Sequence, residues 1–185
     1  MGKLYYYYGT MSSAKSLNLL AKAHQFKTAG SKVMLMKPSV DTRTNGTISS
    51  RVGLEEECVL IHKDELICIP NDVDVVMIDE CQFLTPKQVE QLWFLSRINN
   101  IRIFCYGLKV TYFNELFESI KIMLVYADNI NEIKSQCVRC NSKATTHLFY
   151  KGDTVIKNGD EVNIGDIEGE EKYLSVCQKC WQLAD

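Results

Sequence analysis

A loop suited to binding phosphate lies near the start of the chain. Residues 9–16 read Gly-Thr-Met-Ser-Ser-Ala-Lys-Ser and follow an apolar run that ends at Tyr8. This spacing fits the phosphate-loop pattern G-x-x-x-x-G-K-[ST], except that Ala14 stands where the second glycine belongs. In such a loop, backbone N–H groups hold phosphates, Lys15 reaches the transferred oxygens and Ser16 ligates Mg²⁺. The candidate phosphate-binding residues are Gly9, Thr10, Met11, Ser12, Ser13, Ala14, Lys15 and Ser16.

Two adjacent carboxylates end a second apolar run. Asp79 and Glu80 directly follow residues 75–78, which read Val-Val-Met-Ile. Parallel sheets bind ligands at the carboxyl ends of their strands, so we expect Asp79 to hold the Mg²⁺ shell. Glu80 points the other way and is a candidate to accept a proton from a hydroxyl or from water. Taken alone, the pair also fits two solvated turn acids, but together with the phosphate loop it predicts a nucleotide site.

Two further loops are expected at the same edge of the sheet. In residues 37–43, Arg43 is a candidate phosphate contact and Asp41 a candidate to orient Arg43 or the metal shell. A surface ion pair is the alternative for these two residues. Tyr112 and Phe113 follow a later strand and are placed to stack on a base, with packing in the core as the alternative.

The chain has eight cysteines, and four of them form two Cys-x-x-Cys pairs. Each pair puts two thiolates on one tight turn, and two such turns complete a tetrahedron around Zn²⁺. We therefore predict a structural zinc site made by Cys137, Cys140, Cys177 and Cys180. The other four, which lie in apolar runs and are expected to be small core residues, are Cys58, Cys68, Cys81 and Cys105.

The 36 residues between the two pairs exceed the usual zinc-ribbon gap of about 15 to 20. Residues 151–172 contain four of the ten glycines and seven acids against three lysines. This composition predicts a flap that extends away from the metal site and has both of its ends there. Long loops of this kind are often functional.

The rest of the chain predicts an α/β fold. Short apolar runs indicate strands at residues 4–8, 33–36, 73–78 and 101–106, with a weaker one at 58–62. Helical patterns cover residues 16–29, 86–97 and 114–122, and Thr85 and Pro86 mark the start of the second. We expect a P-loop (RecA-like), mostly parallel sheet with helices on both faces in residues 1–134. A small zinc-binding domain with a lasso loop at about 151–173 follows in residues 135–185.

Composition excludes several classes of protein. Lys plus Arg number 21 against 23 Asp plus Glu, giving a formal net charge of -2, so a generally basic nucleic-acid surface is disfavoured. No apolar stretch approaches the about 18 residues of a membrane span, and no secretory signal is visible. We expect a cytoplasmic protein in a reducing compartment, with neither nucleic acid nor membrane as a partner.

These motifs together resemble the cytosolic-type (type II) thymidine kinase family, which joins a P-loop α/β domain to a zinc domain with a long lasso. The similarity extends over the whole chain. The segments that carry it are residues 9–16, 37–43, 79–83 and 106–108, the two cysteine pairs, residues 162–165, Tyr173 and residues 175–177.

The resemblance implies transfer of the γ-phosphoryl group of ATP to the 5′-hydroxyl of thymidine, with Glu80 as proton acceptor and Mg²⁺ bridging phosphates. It also implies a homotetramer, feedback inhibition by dTTP and a phosphate-side role for Gln82. The residues that it places around the nucleoside are Met11, Leu108, Tyr112 or Phe113, Glu161, Val162, Asn163, Ile164, Gly165 and Tyr173.

The chain departs from the family pattern at Ala14 and in the stretch from Gly165 to Tyr173, which is a few residues longer than usual. Two other functions remain as alternatives. One is a zinc-ribbon P-loop ATPase that acts on nucleic acid, with Glu80 activating water. The other is a catalytically silent nucleotide sensor, which the Ala14 substitution would fit.

Overall fold

The computed structural model describes residues 1–42, 46–159 and 171–184. The first eight strands are β1 (Lys3–Tyr8), β2 (Val33–Pro38), β3 (Thr47–Ser49), β4 (Glu55–Glu57), β5 (Val59–Ile61), β6 (Val75–Ile78), β7 (Arg102–Gly107) and β8 (Asn129–Glu132). Six of them form one sheet in the order β5-β2-β6-β7-β1-β8, and every neighbouring pair is parallel. Strands β3 and β4 pair with each other as a separate antiparallel hairpin.

Helices cover both faces of the six-stranded sheet, as the nearly continuous apolar strands require. Helix α1 (Lys15–Thr28) packs its buried Leu19, Leu20 and Ala23 onto one face. Helices α2 (Pro86–Ile98) and α3 (Glu118–Tyr126) pack onto the other face and onto each other. The loops that follow β1, β2, β6 and β7 therefore meet at one edge of the sheet.

The start of α2 shows how local sequence sets these positions. The Thr85 side chain accepts a hydrogen bond from the backbone N–H of Gln88, and the Gln88 side chain accepts one from the backbone N–H of Thr85. Pro86 follows at the first helical position, where it has no N–H to leave unsatisfied.

The C-terminal part of the chain forms a smaller, antiparallel sheet. Its strands are β9 (Thr146–Lys151), β10 (Thr154–Ile156) and β11 (Glu171–Val176), in the order β10-β9-β11, and a short helix α4 (Gln178–Gln182) follows. Leu148, Val176 and Ala184 form its core together with Cys137. No helix in the described part of the chain is long and apolar enough to cross a membrane.

The structure confirms the predicted fold class. The four predicted strands and the weaker one at 58–62 correspond to β1, β2, β6, β7 and β5. The third predicted helix begins later than expected, at Glu118, because Asn114 takes a left-handed turn conformation with φ 69° and Val110 bridges to Leu116. The edge strand β8 was not predicted, since three of the four residues in its sequence Asn-Ile-Asn-Glu are polar.

Candidate active site

The phosphate loop follows the end of β1, which lies between β7 and the edge strand β8. Gly9 donates its N–H to the carbonyl of Gly107 at 3.3 Å, which ties the loop to β7. A side chain on Gly9 would collide with the Ser13 hydroxyl and would lie 2.6 Å from the Ile133 carbonyl. Glycine is therefore required here for close packing rather than for its backbone angles.

Two non-glycine residues of the loop, Ser12 and Ala14, have left-handed backbone angles, with φ of 62° and 63°. Ala14 caps the N-terminus of α1, and no side-chain hydrogen bond caps this helix end. Because a Cβ atom disfavours this conformation, the geometry explains why the motif usually has glycine at the Ala14 position. The loop keeps its shape despite this strain, so surrounding contacts must hold it.

Two cations lie on the loop. Lys15 is buried, and its Nζ donates to the Thr10 carbonyl at 2.9 Å, so the ammonium turns back over the loop. Arg51, from the hairpin between β3 and β4, donates through Nη1 to the Ser12 hydroxyl at 2.7 Å. Arg51 was not predicted, because only the fold brings the hairpin to the loop.

Ser16 and Asp79 meet at the loop, as the predicted magnesium pair requires. The Ser16 hydroxyl donates to Asp79 Oδ2 at 2.6 Å, and the Glu80 N–H donates to Asp79 Oδ1 at 3.0 Å. Burial, and then the neighbouring Glu80 charge, raise the pKa of Asp79 to about 6, while Ser16 and Lys15 oppose that rise. A hydroxyl and a carboxylate at this spacing offer the oxygen donors that Mg²⁺ prefers.

Glu80 is held beside Asp79 by a chain of side-chain contacts. Its backbone is left-handed with φ 50°, and its carboxylate accepts a hydrogen bond from Gln82 Nε2 at 2.6 Å. Gln82 Oε1 accepts in turn from the backbone N–H of Leu108 at 3.0 Å. A side chain on Gly107 would lie 2.5 Å from Gln82 Oε1 and 2.7 Å from Cys81 Sγ, so glycine is needed to let this chain form. Gln82 thus contacts Glu80 and Leu108, the residue after β7, and its phosphate-side role stays a prediction.

Asp41 lies at the same edge, where it forms an ion pair with Lys37. Lys37 is 1% exposed, and its Nζ lies 3.6 Å from Asp41 Oδ2. No role was predicted for Lys37, although a lysine next to the end of an otherwise apolar strand was a usable signal. Arg43 lies outside the described residues.

The peptide of Met11 is held by the small sheet. The Met11 N–H donates to His147 Nε2 at 2.8 Å, and the Met11 carbonyl accepts from the Ser175 hydroxyl at 2.7 Å. Next to it, the Thr10 and Ser135 hydroxyls are hydrogen-bonded at 2.5 Å. His147, Ser175 and Ser135 were not predicted to contact the loop, because residues this far apart in the chain meet only in the fold.

Aromatic rings gather next to this contact. Tyr112 is buried, with its ring centre 4.9 Å from that of Phe149 and 6.3 Å from that of Tyr173. The Trp181 indole donates to the Tyr112 carbonyl at 2.9 Å. Phe113, in contrast, is half-buried and packs edge-on against Tyr112. Tyr112 therefore has the core-packing environment that was the alternative for it.

The remaining predicted nucleoside contacts divide into two groups. Met11, Leu108 and Tyr173 are half-buried and lie around the loop and the aromatic rings. The others fall outside the described residues, namely Glu161, Val162, Asn163, Ile164 and Gly165.

The four paired cysteines converge, and their Sγ atoms all lie within 4.8 Å of one another. Cys140 Sγ and Cys177 Sγ are 3.6 Å apart, close to the about 3.8 Å between sulfurs in a tetrahedral site with Zn–S bonds of about 2.3 Å. Hydrogen bonds from Ser142 lower the pKa of Cys140 to about 6, which favours the thiolate. The cluster can hold a metal ion and is compatible with structural zinc.

Comparison with known proteins gives one consistent result. A family model described as thymidine kinase matches residues 2–181. A thymidine kinase of Streptococcus agalactiae serotype Ia is 39% identical over 185 residues, covering 97% of this chain and 96% of the relative. One of Lactococcus lactis subsp. lactis is 38% identical with the same coverage, and one of Photorhabdus laumondii subsp. laumondii is 36% identical, covering 100% and 94%. The similarity therefore extends over nearly the full length of this chain and of each relative.

Proposed function

The chain belongs to the thymidine kinase family, and we propose on that basis that it transfers the γ-phosphoryl group of ATP to the 5′-hydroxyl of thymidine. The products are dTMP and ADP. The observation that carries the proposal is the meeting of Ser16, Asp79 and Glu80 at the phosphate loop. This arrangement supplies a metal-binding pair and a second carboxylate, that of Glu80, at one point, as phosphoryl transfer to a hydroxyl requires.

The donor side is assigned to the loop and α1. Backbone N–H groups of residues 9–16 and the positive end of the helix hold the phosphates, and Lys15 exchanges its bond to the Thr10 carbonyl for a phosphate oxygen. Ser16 and Asp79 would hold the Mg²⁺ that accompanies ATP, which neutralises charge on the phosphates when bound. We propose that Arg51, which donates to Ser12, adds positive charge beside the loop. Arg43 is kept as a proposed phosphate contact from its place in the sequence.

The acceptor side is assigned to Glu80. As the thymidine O5′ forms its bond to the γ-phosphorus and the bond to the ADP oxygen breaks, the hydroxyl proton passes to the Glu80 carboxylate. Gln82 donates to that carboxylate and also accepts from the Leu108 N–H, so it fixes where Glu80 points. Asp41, with its buried partner Lys37, completes the charged edge around the phosphates.

The nucleoside pocket is proposed between the loop and the small sheet. Met11, Leu108 and Phe113 are half-buried and available for contact, and Tyr173 stacks on Phe149 with ring centres 4.7 Å apart. We favour Phe113 over Tyr112 for stacking on the base, because Tyr112 is already enclosed by Phe149 and Tyr173. Residues 161–165 are proposed to bind the base through their backbone, by the family resemblance.

We further propose a structural role for zinc in the four-cysteine cluster, supported by its sulfur spacing. The change from a parallel to an antiparallel sheet after β8 supports a division into units at residues 1–134 and 135–185. A homotetramer, feedback inhibition by dTTP and a cytoplasmic location are proposed from the family resemblance. A reducing compartment would also keep the four metal-site thiols available.

Glu80→Gln tests the assigned mechanism. The variant keeps the hydrogen bond from Gln82 in reach but cannot accept the hydroxyl proton, so we expect dTMP formation to fall by about 10²- to 10⁴-fold. ATP binding, measured by calorimetry with Mg²⁺ present, should stay within about threefold of wild type, since Asp79 holds the metal. A matching loss of ATP affinity would instead assign Glu80 to metal binding, and unchanged dTMP formation would exclude it as the proton acceptor.

A further inference from the structure

Met11 of the phosphate loop is hydrogen-bonded through both its N–H and its carbonyl to the small sheet. His147 accepts the Met11 N–H at 2.8 Å, and Ser175 donates to the Met11 carbonyl at 2.7 Å. The backbone N–H and carbonyl of Met11 are thus both hydrogen-bonded to side chains that are more than 130 positions away in the chain. We call His147 and Ser175 the Met11 clamp.

Strand pairing places the two clamp residues together. His147 and Ser175 are directly opposite each other in the antiparallel register of β9 and β11, so their side chains lie on the same face. Leu148 and Val176, the next residues along, point to the opposite face and pack with Cys137. One face of the small sheet therefore covers the metal-site core, while the other holds the phosphate loop.

The clamp needs His147 to be uncharged. Nε2 can accept the Met11 N–H only if it carries no proton, so the ring proton is on Nδ1. His147 is 2% exposed, and burial, followed by the charge of Lys15, lowers its pKa to about 3. The ring therefore stays a hydrogen-bond acceptor over the whole physiological range and is unsuited to acid–base catalysis there.

The backbone next to Met11 needs contacts from outside the loop to keep its conformation. Ser12 and Ala14, one and three residues further on, are both in the left-handed conformation that non-glycine residues disfavour. Strained backbone of this kind persists only where surrounding contacts fix it. At residue 11 these contacts come from the Met11 clamp, and at residue 10 from the bond between Thr10 and Ser135.

We propose that His147 and Ser175 are positioning residues for phosphoryl transfer, which hold the Met11 peptide so that the strained loop presents its N–H groups to ATP. The inference rests on the proposed function, since it deepens the role of the same site. It also makes the small sheet part of the phosphate-binding machinery. Neither clamp residue touches the reacting atoms.

The test compares His147→Ala, His147→Gln and the neighbouring control Thr146→Val. Gln can present an oxygen acceptor to the Met11 N–H, whereas Ala leaves that N–H without its partner. The Thr146 hydroxyl is buried and has no hydrogen-bond partner in the described residues, so its removal controls for disturbance of β9. We expect His147→Ala to lower kcat/KM for ATP by about ten- to a hundredfold, mainly through KM. His147→Gln should recover most of the loss, and Thr146→Val should stay within about twofold of wild type.

A second measurement separates this inference from the proposed function. ATP affinity is measured by calorimetry without thymidine, so it reports on the loop even if no dTMP forms. Weaker ATP binding in His147→Ala, restored in His147→Gln, supports the clamp whichever way the transfer assay turns out. Equal ATP affinity in wild type, His147→Ala and Thr146→Val would overturn the clamp while leaving the kinase assignment intact.

Ser175→Ala provides the second variant in case His147→Ala does not fold. It removes the other half of the clamp and should also raise KM for ATP. If both single variants fold, the double variant should lose less than the sum of the two single losses, because both act on the same peptide. The proposal would be overturned if the losses of the two single variants added up fully in the double variant and the melting temperatures fell in proportion to those losses. That result would show a merely structural role.

Discussion

At the scale of single residues, the charged groups at the loop are arranged for a ligand rather than for stability. Asp79 is buried next to Glu80, and burial raises its pKa from 3.8 to about 6. An acid whose pKa is higher in the folded protein than in the unfolded chain destabilises the fold once it is ionised. That penalty is absent below about pH 4, grows as the pH rises towards 6 and is complete above it.

Asp79→Asn should therefore stabilise the free protein while abolishing its activity. Without Mg²⁺ and nucleotide at pH 7.5, we expect the free energy of unfolding to rise by about 1 to 3 kcal/mol, since the neutral amide avoids the ionisation penalty. This advantage should shrink at pH 5, where part of wild-type Asp79 is protonated. Denaturant unfolding at the two pH values measures it, and dTMP formation should fall more than about a hundredfold because the proposed metal ligand is lost.

The control for that variant is Asp72→Asn, which removes an exposed acid paired with Lys32 on the surface. Its stability should be almost unchanged, because exposed ion pairs contribute little. The ionisation penalty assigned to buried Asp79 would be wrong if Asp79→Asn were less stable than wild type at pH 7.5. It would also be wrong if the difference in stability between the two proteins did not depend on pH.

Candidate site residues could be predicted from the sequence where they lie in one continuous motif. Residues 9–16, Asp79 and Glu80 were predicted from spacing alone, and the structure places them together. His147, Ser175 and Arg51 were not predicted, because each acts on a loop residue distant in the chain. No periodicity or motif marks such a contact before the fold is known.

At the scale of elements, prediction worked best for strands buried on both faces. Strand β6 is apolar at every position, and all four of its residues are buried, so its signal is unambiguous. Strand β8 lies at the sheet edge, and three of its four residues are polar, so no apolar run marks it in the sequence. The later start of α3 follows from the turn at Asn114, which helical periodicity does not reveal.

The small sheet links the cysteine cluster to the phosphate loop through one element. Strand β11 carries Ser175, and Cys177 follows two residues later. If zinc fixes Cys177, it also fixes the end of the strand that holds the Met11 carbonyl.

Removing the metal should therefore affect both stability and ATP binding. The purified protein is expected to contain about one zinc per chain, and chelation should lower the melting temperature by several degrees and weaken ATP binding. Elemental analysis, thermal unfolding and calorimetry measure the three effects. Cys140→Ser should reproduce them. The matched control is Cys68→Ser, because Cys68 lies outside the cluster and is exposed, not in the core as the sequence predicted. A metal-free protein with unchanged melting and ATP affinity would contradict the structural role of zinc.

At the scale of the whole molecule, both sheets contribute residues to the proposed site. The six-stranded sheet supplies the phosphate loop, Asp79 and Glu80 at the carboxyl ends of its strands. The small sheet contributes His147, Ser175 and Tyr173 from one face. The nucleoside pocket is proposed at this junction, where a dry and positioned site favours transfer to a hydroxyl over transfer to water.

The most direct measurement is the product formed from labelled ATP, Mg²⁺ and each nucleoside in turn by the purified chain. With thymidine we expect labelled dTMP, formed one for one with ADP, and little ADP release when thymidine is left out. Thymidine-independent ATP hydrolysis, or ATP binding with no labelled dTMP, would contradict the assignment as a thymidine kinase.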